Sequence, residues 1–308
     1  MTEPNVVSGA GVWAFAAPWL GSLVITGADR VSWLNGLSTC DLTPLKAPGQ
    51  GAYGLATSKV GRILSDLVVV SAPDRLYVAL PRQREVPLAE AFEHYLVMED
   101  AEVTGAGERL AWLLLHGAGA ASLAADLAGR AGALAWAPVD MSGHGGAAFV
   151  FEAGALDGAI EALRAAGVEP GDEASWNELR LQWGVPRFGV DFDEKSYPQE
   201  AGLEKRAVSF QKGCYLGQEV VCRLEMRGHV HRKLVSLVLE GGELPERGAP
   251  VNVAPGGEAV GTVTSAARGE GSGPARALAM VKYAHAEKGE GLSVGGVPVR
   301  VVRSESPA

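Results

Sequence analysis

From about residue 232 the chain carries six short apolar runs and no convincing helical pattern. The runs are Lys233–Leu239, Val251–Val253, Ala259–Ser265, Ala277–Tyr283, Leu292–Val294 and Val297–Val302, punctuated by Gly-Gly, Pro-Gly and Gly-Glu-Gly. Strand-length runs at regular spacing, broken by turn residues, specify a small closed barrel or sandwich. The expected organisation is therefore a region over residues 1–230 and a separate C-terminal β-barrel domain over 231–308, hinged at 228–232. Residues 267–275, with Gly-Glu-Gly-Ser-Gly-Pro, read as a flexible loop tip.

The first 230 residues alternate instead. Leu23–Thr26 reads as a strand closed by Gly27, and Asp29 suits the start of a helix that turns Val31, Leu34 and Leu37 inward. Ile63–Val70 and Leu76–Leu80 form a hairpin through Ser71-Ala72-Pro73-Asp74, followed by a helix with Val86, Ala89, Phe92 and Leu96 at helical spacing. The pattern then repeats in kind, with strands at 112–115, 133–137 and 148–152 and helices over 119–130, 156–166 and 173–183. This is an α+β arrangement in layers, each sheet covered by helices on one side.

The chain has 308 residues, 47% of them hydrophobic and 20% charged, as in a globular protein with a large core. Its net charge of −9 argues against a nucleic-acid-coating role. Residues 204–233 nevertheless hold seven Lys/Arg against three Glu, a local +4 that suits either a solvated basic helix or an anionic ligand held at one place. Three cysteines, Cys40, Cys214 and Cys222, do not make a disulfide framework and point to a reducing compartment. The first residues, Met1-Thr2-Glu3-Pro4-Asn5, lack the basic and apolar regions of a signal peptide, and the apolar stretch 110–139 is broken by His116, Asp126 and Arg130. A cytoplasmic location with no membrane contact is the expectation.

Chemistry concentrates in Lys212-Gly213-Cys214-Tyr215-Leu216-Gly217-Gln218-Glu219. A thiol beside a lysine, in a glycine-bounded turn opening onto a helix over Gln218–Arg227, has two influences favouring thiolate. Glu219 and Arg223 have the spacing of an i,i+4 ion pair, and Val220, Val221 and Leu224 form an apolar stripe. Free thiols are also commonly buried packing residues, and the residues alone leave both readings open. Asp66, in Gly61-Arg62-Ile63-Leu64-Ser65-Asp66, can orient or deprotonate an amine or simply cap a turn. Gln182, near a helix end in Leu179–Gly184, offers an amide suited to the edge of a heterocycle. Phosphate-loop, nucleophile-elbow, zincin and CxxC motifs do not occur. The spacing of Cys214, Cys222, His229 and His231 matches no compact zinc pattern, so no metal is expected.

Taken together these segments resemble the YgfZ-type folate-binding proteins, paralogues of glycine-cleavage T-protein. The K-G-C-Y-L-G-Q-E run with Arg223 and Arg227-Gly228 carries most of the resemblance. Gly27–Arg30, Leu34–Leu37, Thr39–Asp41, Gly61–Asp66, Leu179–Pro186 and Pro198–Glu200 support it. The resemblance implies a T-protein-like fold, two α+β layered subdomains plus the small barrel, around a cleft for tetrahydrofolate in mono- or polyglutamylated form. It implies Cys214 as the residue that function depends on, in iron–sulfur cluster assembly or repair and hence in iron–sulfur-dependent tRNA modification. Iron–sulfur client or assembly proteins would be the partners, without direct nucleic-acid binding. Lys212, Tyr215 and Glu219 would shape the loop and the folate site, Gln182 would face the pterin, and Arg223 would meet the folate carboxylates. T-protein carries Asp in place of Cys214, a tandem acidic pair in place of Ser65-Asp66, and Glu in place of Gln182. Asp66 persists, so the alternative is a tetrahydrofolate-dependent aminomethyltransferase of the glycine-cleavage type. Were the chain an enzyme, it would be a folate-dependent one-carbon transferase.

Overall fold

A computed structural model describes residues 11–239, 241, 243–253, 256–268 and 273–302. The N-terminal stretch read for a signal peptide, residues 269–272 of the expected loop tip, and the side chain of Arg227 lie outside the described residues. The chain divides into two compact units, one made of Met1–Ser175 with Arg206–Gln218 and the other of Trp176–Lys205 with Glu219–Ala308.

In chain order the first unit runs β1 (Trp13–Ala16), β2 (Leu20–Thr26), α1 (Arg30–Leu37), β3 (Gly51–Thr57), β4 (Ile63–Ser71), β5 (Arg75–Pro81), α2 (Glu85–Glu93), β6 (Glu102–Gly105) and β7 (Leu110–His116). It continues with α3 (Ala120–Ala128), β8 (Ala135–Pro138), β9 (Gly146–Glu152) and α4 (Leu156–Ala165). Two antiparallel sheets result, ordered β3-β4-β5-β2-β6 and β1-β7-β9-β8. Strand alternation sorts their side chains. One face of the larger sheet, with Leu23, Ile25, Leu67, Val69 and Val78, packs on Trp33 and Leu34 of α1 and on Leu88 and Phe92 of α2. The smaller sheet packs Leu113, Leu115, Phe149 and Phe151 on Ala124 of α3 and Leu163 of α4. The other faces of the two sheets meet, and Trp112 Nε1 of β7 donates to Ser22 Oγ of β2 at 2.8 Å in the buried seam. The layered α+β expectation is met, with the order helices, sheet, sheet, helices.

Two local expectations shift. Val86 was expected to face inward but is 63% exposed, and Glu85, Leu88 and Phe92 form the inner face of α2. The cause is polar: the buried Glu85 carboxylate accepts from Ser22 N at 2.9 Å and Gly107 N at 2.6 Å, which sets the rotation of the helix. Asp29 does precede α1, but its carboxylate accepts from the Asp100 backbone N–H at 2.9 Å and makes no bond to the helix's own amides.

After α5 (Glu173–Gln182), α6 (Glu204–Ala207) and α7 (Gln218–Arg227), the chain enters β10 (Arg232–Leu239), β11 (Pro250–Val253), β12 (Ala259–Ala267), β13 (Ala275–Lys282), α8 (Tyr283–Lys288), β14 (Leu292–Val294) and β15 (Val297–Val302). The six strands close as β10-β13-β12-β11-β14-β15 around Leu237, Val251, Val263, Ala279, Val281 and Leu292. The short helix α8 corrects the expectation of none in this region. It ends on Gly289, whose φ of +68° lets its N–H return to His285 O at 3.0 Å.

A buried polar network ties α5 to the barrel within the second unit. Arg180 Nη1 and Asp191 Oδ2 pair at 2.7 Å with both side chains essentially sealed, and Arg180 Nε donates to Asn177 Oδ1 at 2.8 Å. The other carboxylate oxygen of Asp191 accepts from Thr264 Oγ1 at 2.6 Å and Ser265 Oγ at 2.5 Å. Adjacent strand residues normally point to opposite faces. Here the register shift of β12 against β13 at Val263/Ser265 brings both hydroxyls to one oxygen. No helix among the described residues is long and apolar enough to cross a membrane.

Two outcomes follow from buried charge. Asp191→Ala strands the Arg180 guanidinium and is expected to cost about 3–5 kcal/mol in urea unfolding. His116 is buried against Phe15, and desolvation pulls its pKa to about 4 from 6.5, with Asp140 opposing the shift. Between those values the unfolded chain takes up the proton that the folded chain refuses. Stability is therefore full above pH 6.5 and declines toward pH 4, by ~3 kcal/mol from this residue. The difference in unfolding free energy between the native chain and His116→Leu, measured from pH 7 to pH 4, should change by that amount.

Candidate functional site

The thiol loop is built onto α1 and the β3–β4 connection of the first unit. Ser209 N donates to Thr39 O at 2.9 Å and Thr39 Oγ1 to Ala207 O at 2.5 Å. Farther along, Leu216 N donates to Gly36 O at 2.9 Å and Thr57 Oγ1 to Leu216 O at 2.5 Å. Gly217 has φ +83°, and a Cβ there would collide with the carbonyl oxygen of Ser58, so the turn that opens α7 requires glycine.

Lys212 supplies the strongest tie. Its ammonium donates to the carbonyls of Asn35 at 2.7 Å, Ser38 at 2.9 Å and Cys40 at 2.6 Å, which gather at the C-terminal end of α1. Carbonyls at a helix C-terminus lack helical donors and carry the negative end of its dipole, so one cation satisfies three acceptors. Partial burial lowers the Lys212 pKa, with Cys40 and Asp41 acting in the opposite direction. The same Nζ lies 5.5 Å from the centre of the buried Tyr215 ring. Between these two anchored side chains Cys214 is exposed. Of the other thiols, Cys40 is buried, which raises its pKa, and Cys222 is partly buried, raised by desolvation and then by Glu225.

Asp66 is half-buried on β4, opposite Leu55 of β3. Tyr53 Oη donates to its Oδ2 at a long 3.4 Å. Burial holds the Tyr53 phenol well above its usual pKa, with the Asp66 charge acting in the same direction and Arg206 in the opposite one. Arg206 also depresses the half-buried His144, after desolvation. Sequence reasoning found Asp66 and missed Tyr53, Arg206 and His144 around it. The basic count over 204–233 included Arg206; nothing in Gly-Ala-Tyr-Gly marked Tyr53.

The remaining expected residues belong to the second unit. Gln182 is the last residue of α5 and exposed. Glu219 and Arg223 are exposed on α7, and the ion pair expected between them does not form among the described residues. Val221 of the apolar stripe is fully buried. The His229 ring lies 5.2 Å from that of Tyr283. Among the described residues no three His, Cys, Asp or Glu side chains gather as a metal site.

The comparisons with known proteins agree with this architecture. Residues 232–307 match the glycine cleavage T-protein C-terminal barrel domain. The crystal structure of glycine cleavage system aminomethyltransferase T from Bartonella henselae superposes with a TM-score of 0.78 at 21% identity, covering 96% of this chain and 86% of that one. The fold is that of a glycine-cleavage T-protein. In sequence, the chain is 29% identical to an aminomethyltransferase of Streptomyces coelicolor, over 95% of its own length and 84% of that protein's. It is 29% identical to the mitochondrial aminomethyltransferase of Gallus gallus, over 88% and 74% of the two lengths. These likenesses support the T-protein superfamily and do not single out the YgfZ branch of it.

The exposure of the three thiols sets an order of reaction with a disulfide reagent in the native chain: Cys214 first, Cys222 more slowly, Cys40 only on unfolding. Lys212→Met releases the carbonyls around Cys40 and should bring Cys40 into the reacting set while Cys214 stays fast. Mass mapping of the labelled peptides checks both.

Proposed function

We propose that this chain binds tetrahydrofolate and carries out one-carbon transfer of the aminomethyltransferase kind, with Asp66 as its acid–base and orienting group. The observation that supports this best is the extent of the likeness. Aminomethyltransferases at 25–29% identity align along about nine-tenths of this chain, through both units. The acceptor offered by the first unit fits a reduced pterin. A half-buried carboxylate accepts ring and amino N–H groups well, and Tyr53 steadies one of its oxygens. Tetrahydrofolate, when bound, supplies the nitrogens that accept the one-carbon unit. The chain's own part is to hold Asp66 as a fixed acceptor, with the Arg206 charge nearby.

A second reading rests on one specific observation, the exposed Cys214 on a loop clamped at both ends. In that reading folate is a ligand, and the thiol serves iron–sulfur cluster assembly or repair and through it tRNA modification, by contact with a client protein. Purified full-length chain given tetrahydrofolate and an aminomethyl donor separates the two. For the transferase, Asp66→Asn should lower turnover by about a hundredfold or more and Cys214→Ala should leave it unchanged. No turnover in the native chain, with loss of iron–sulfur enzyme activity in cells carrying Cys214→Ala, would overturn the first reading in favour of the second.

A further inference from the structure

The first unit contains a pocket of about 690 Å³ lined by β5, β2 and β6 of its larger sheet and by Leu110, Leu134 and Glu152. Asp66 lies four residues away along β4 from Val70, which pairs with Tyr77 in the cavity wall, and the buried Trp112–Ser22 contact intervenes. Cavities of this size take small molecules or short peptides. The larger sheet forms the floor in two cross-strand rows, Arg75–Thr26–Glu102 and Tyr77–Val24–Thr104. Leu110 and the 40% exposed Leu134 face them, with Glu152 at the rim beside Leu110.

The charges in this lining are not equivalent. Arg75 is neutralised locally: its Nε and Nη2 bond the two oxygens of Asp74 at 2.9 and 2.6 Å. Arg109 is held by carbonyls instead, Nε to Ala106 O at 3.0 Å and Nη2 to Gly105 O at 3.2 Å, and meets no carboxylate among the described residues. It presents a positioned cation to the cavity. Glu102 and Glu152 are exposed and likewise enter no ion pair among the described residues. A net-charged ligand would satisfy one sign and leave the other facing it. A zwitterion satisfies both.

The spacing sets its length. The Arg109 guanidinium is held at the carbonyl of Gly105, and the backbone of Glu102 lies three residues away along β6, about 10 Å at ~3.3 Å per strand residue. That is the extended span of about three residues. We propose that this cavity binds a zwitterionic peptide of about three residues with apolar side chains. Its ammonium pairs with Glu102 with support from Glu152, its carboxylate with Arg109, and its side chains lie between Tyr77 and Leu110. The site is independent of the folate reading and of Cys214.

Calorimetric titration of the full chain with the tripeptide Ala-Leu-Ala, its N-acetyl form and its C-terminal amide tests this. The free tripeptide should bind, and each blocked form should bind about tenfold more weakly, a loss of ~1.4 kcal/mol. In Glu102→Gln the N-acetyl penalty should shrink severalfold, with Glu152 retaining a part, while the amide penalty persists. Arg109→Gln should do the reverse. Glu102 is an exposed strand residue, so thermal unfolding of Glu102→Gln should match the native chain and keep the result interpretable even where Arg109→Gln loosens its turn. Absence of binding up to millimolar peptide, equal binding of free and blocked forms, or penalties unchanged in Glu102→Gln would each overturn the proposal.

Discussion

One ammonium group fixes the part of this molecule that carries its exposed thiol. Lys212 reaches three backbone carbonyls at the end of α1, where carbonyls lack intrahelical donors. These bonds tie the thiol loop to the end of α1. With Leu216 bonded to Gly36 and Gly217 pressed against Ser58, Cys214 is presented from a rigid turn instead of a mobile tip. A thiol on a flexible segment loses orientation whenever the segment moves. This one keeps its direction as long as α1 keeps its end.

Lys212 also shows where reading from neighbours in sequence stops. Two positions from a cysteine, a cation looks like a thiolate partner, yet which group it contacts depends on elements more than 170 residues away. The segment remained legible as a unit because its glycines, its helix start and its charge all pointed one way. What its charges touch was not. The same limit applies to Glu85, which took the inward position expected of Val86 because two buried amides needed an acceptor. Apolar periodicity finds the helix, and the polar demands of adjoining strands set its rotation.

The barrel was legible for a different reason. Its strands are short, its turns are rich in glycine, and few folds satisfy six such pieces. The helix α8 was hidden because Ala277–Tyr283 reads as one continuous strand, although Ala286, Glu287 and Lys288 before an αL glycine are ordinary signs of a helix end. The Arg180–Asp191 network had no sequence signal at all. It depends on a register shift in β12, which pattern reading does not resolve, and it converts two hydroxyls, a guanidinium and a carboxylate into one satisfied cluster.

Around Asp66 the direction of one hydrogen bond is decided by burial. A phenol whose pKa is held well above 10 does not ionise at any pH the fold would meet, so Tyr53 stays a donor and Asp66 Oδ2 its acceptor. Had Tyr53 been exposed, ionisation at high pH would have set two anions side by side and displaced the carboxylate. Arg206 acts against burial on Tyr53, and on His144 it acts with burial to disfavour a second cation. The cluster is thus biased toward one arrangement: a neutral phenol, a neutral imidazole, one guanidinium and a carboxylate with a preset orientation. In the proposed transferase this bias puts the Asp66 acceptor in place before the heterocycle arrives.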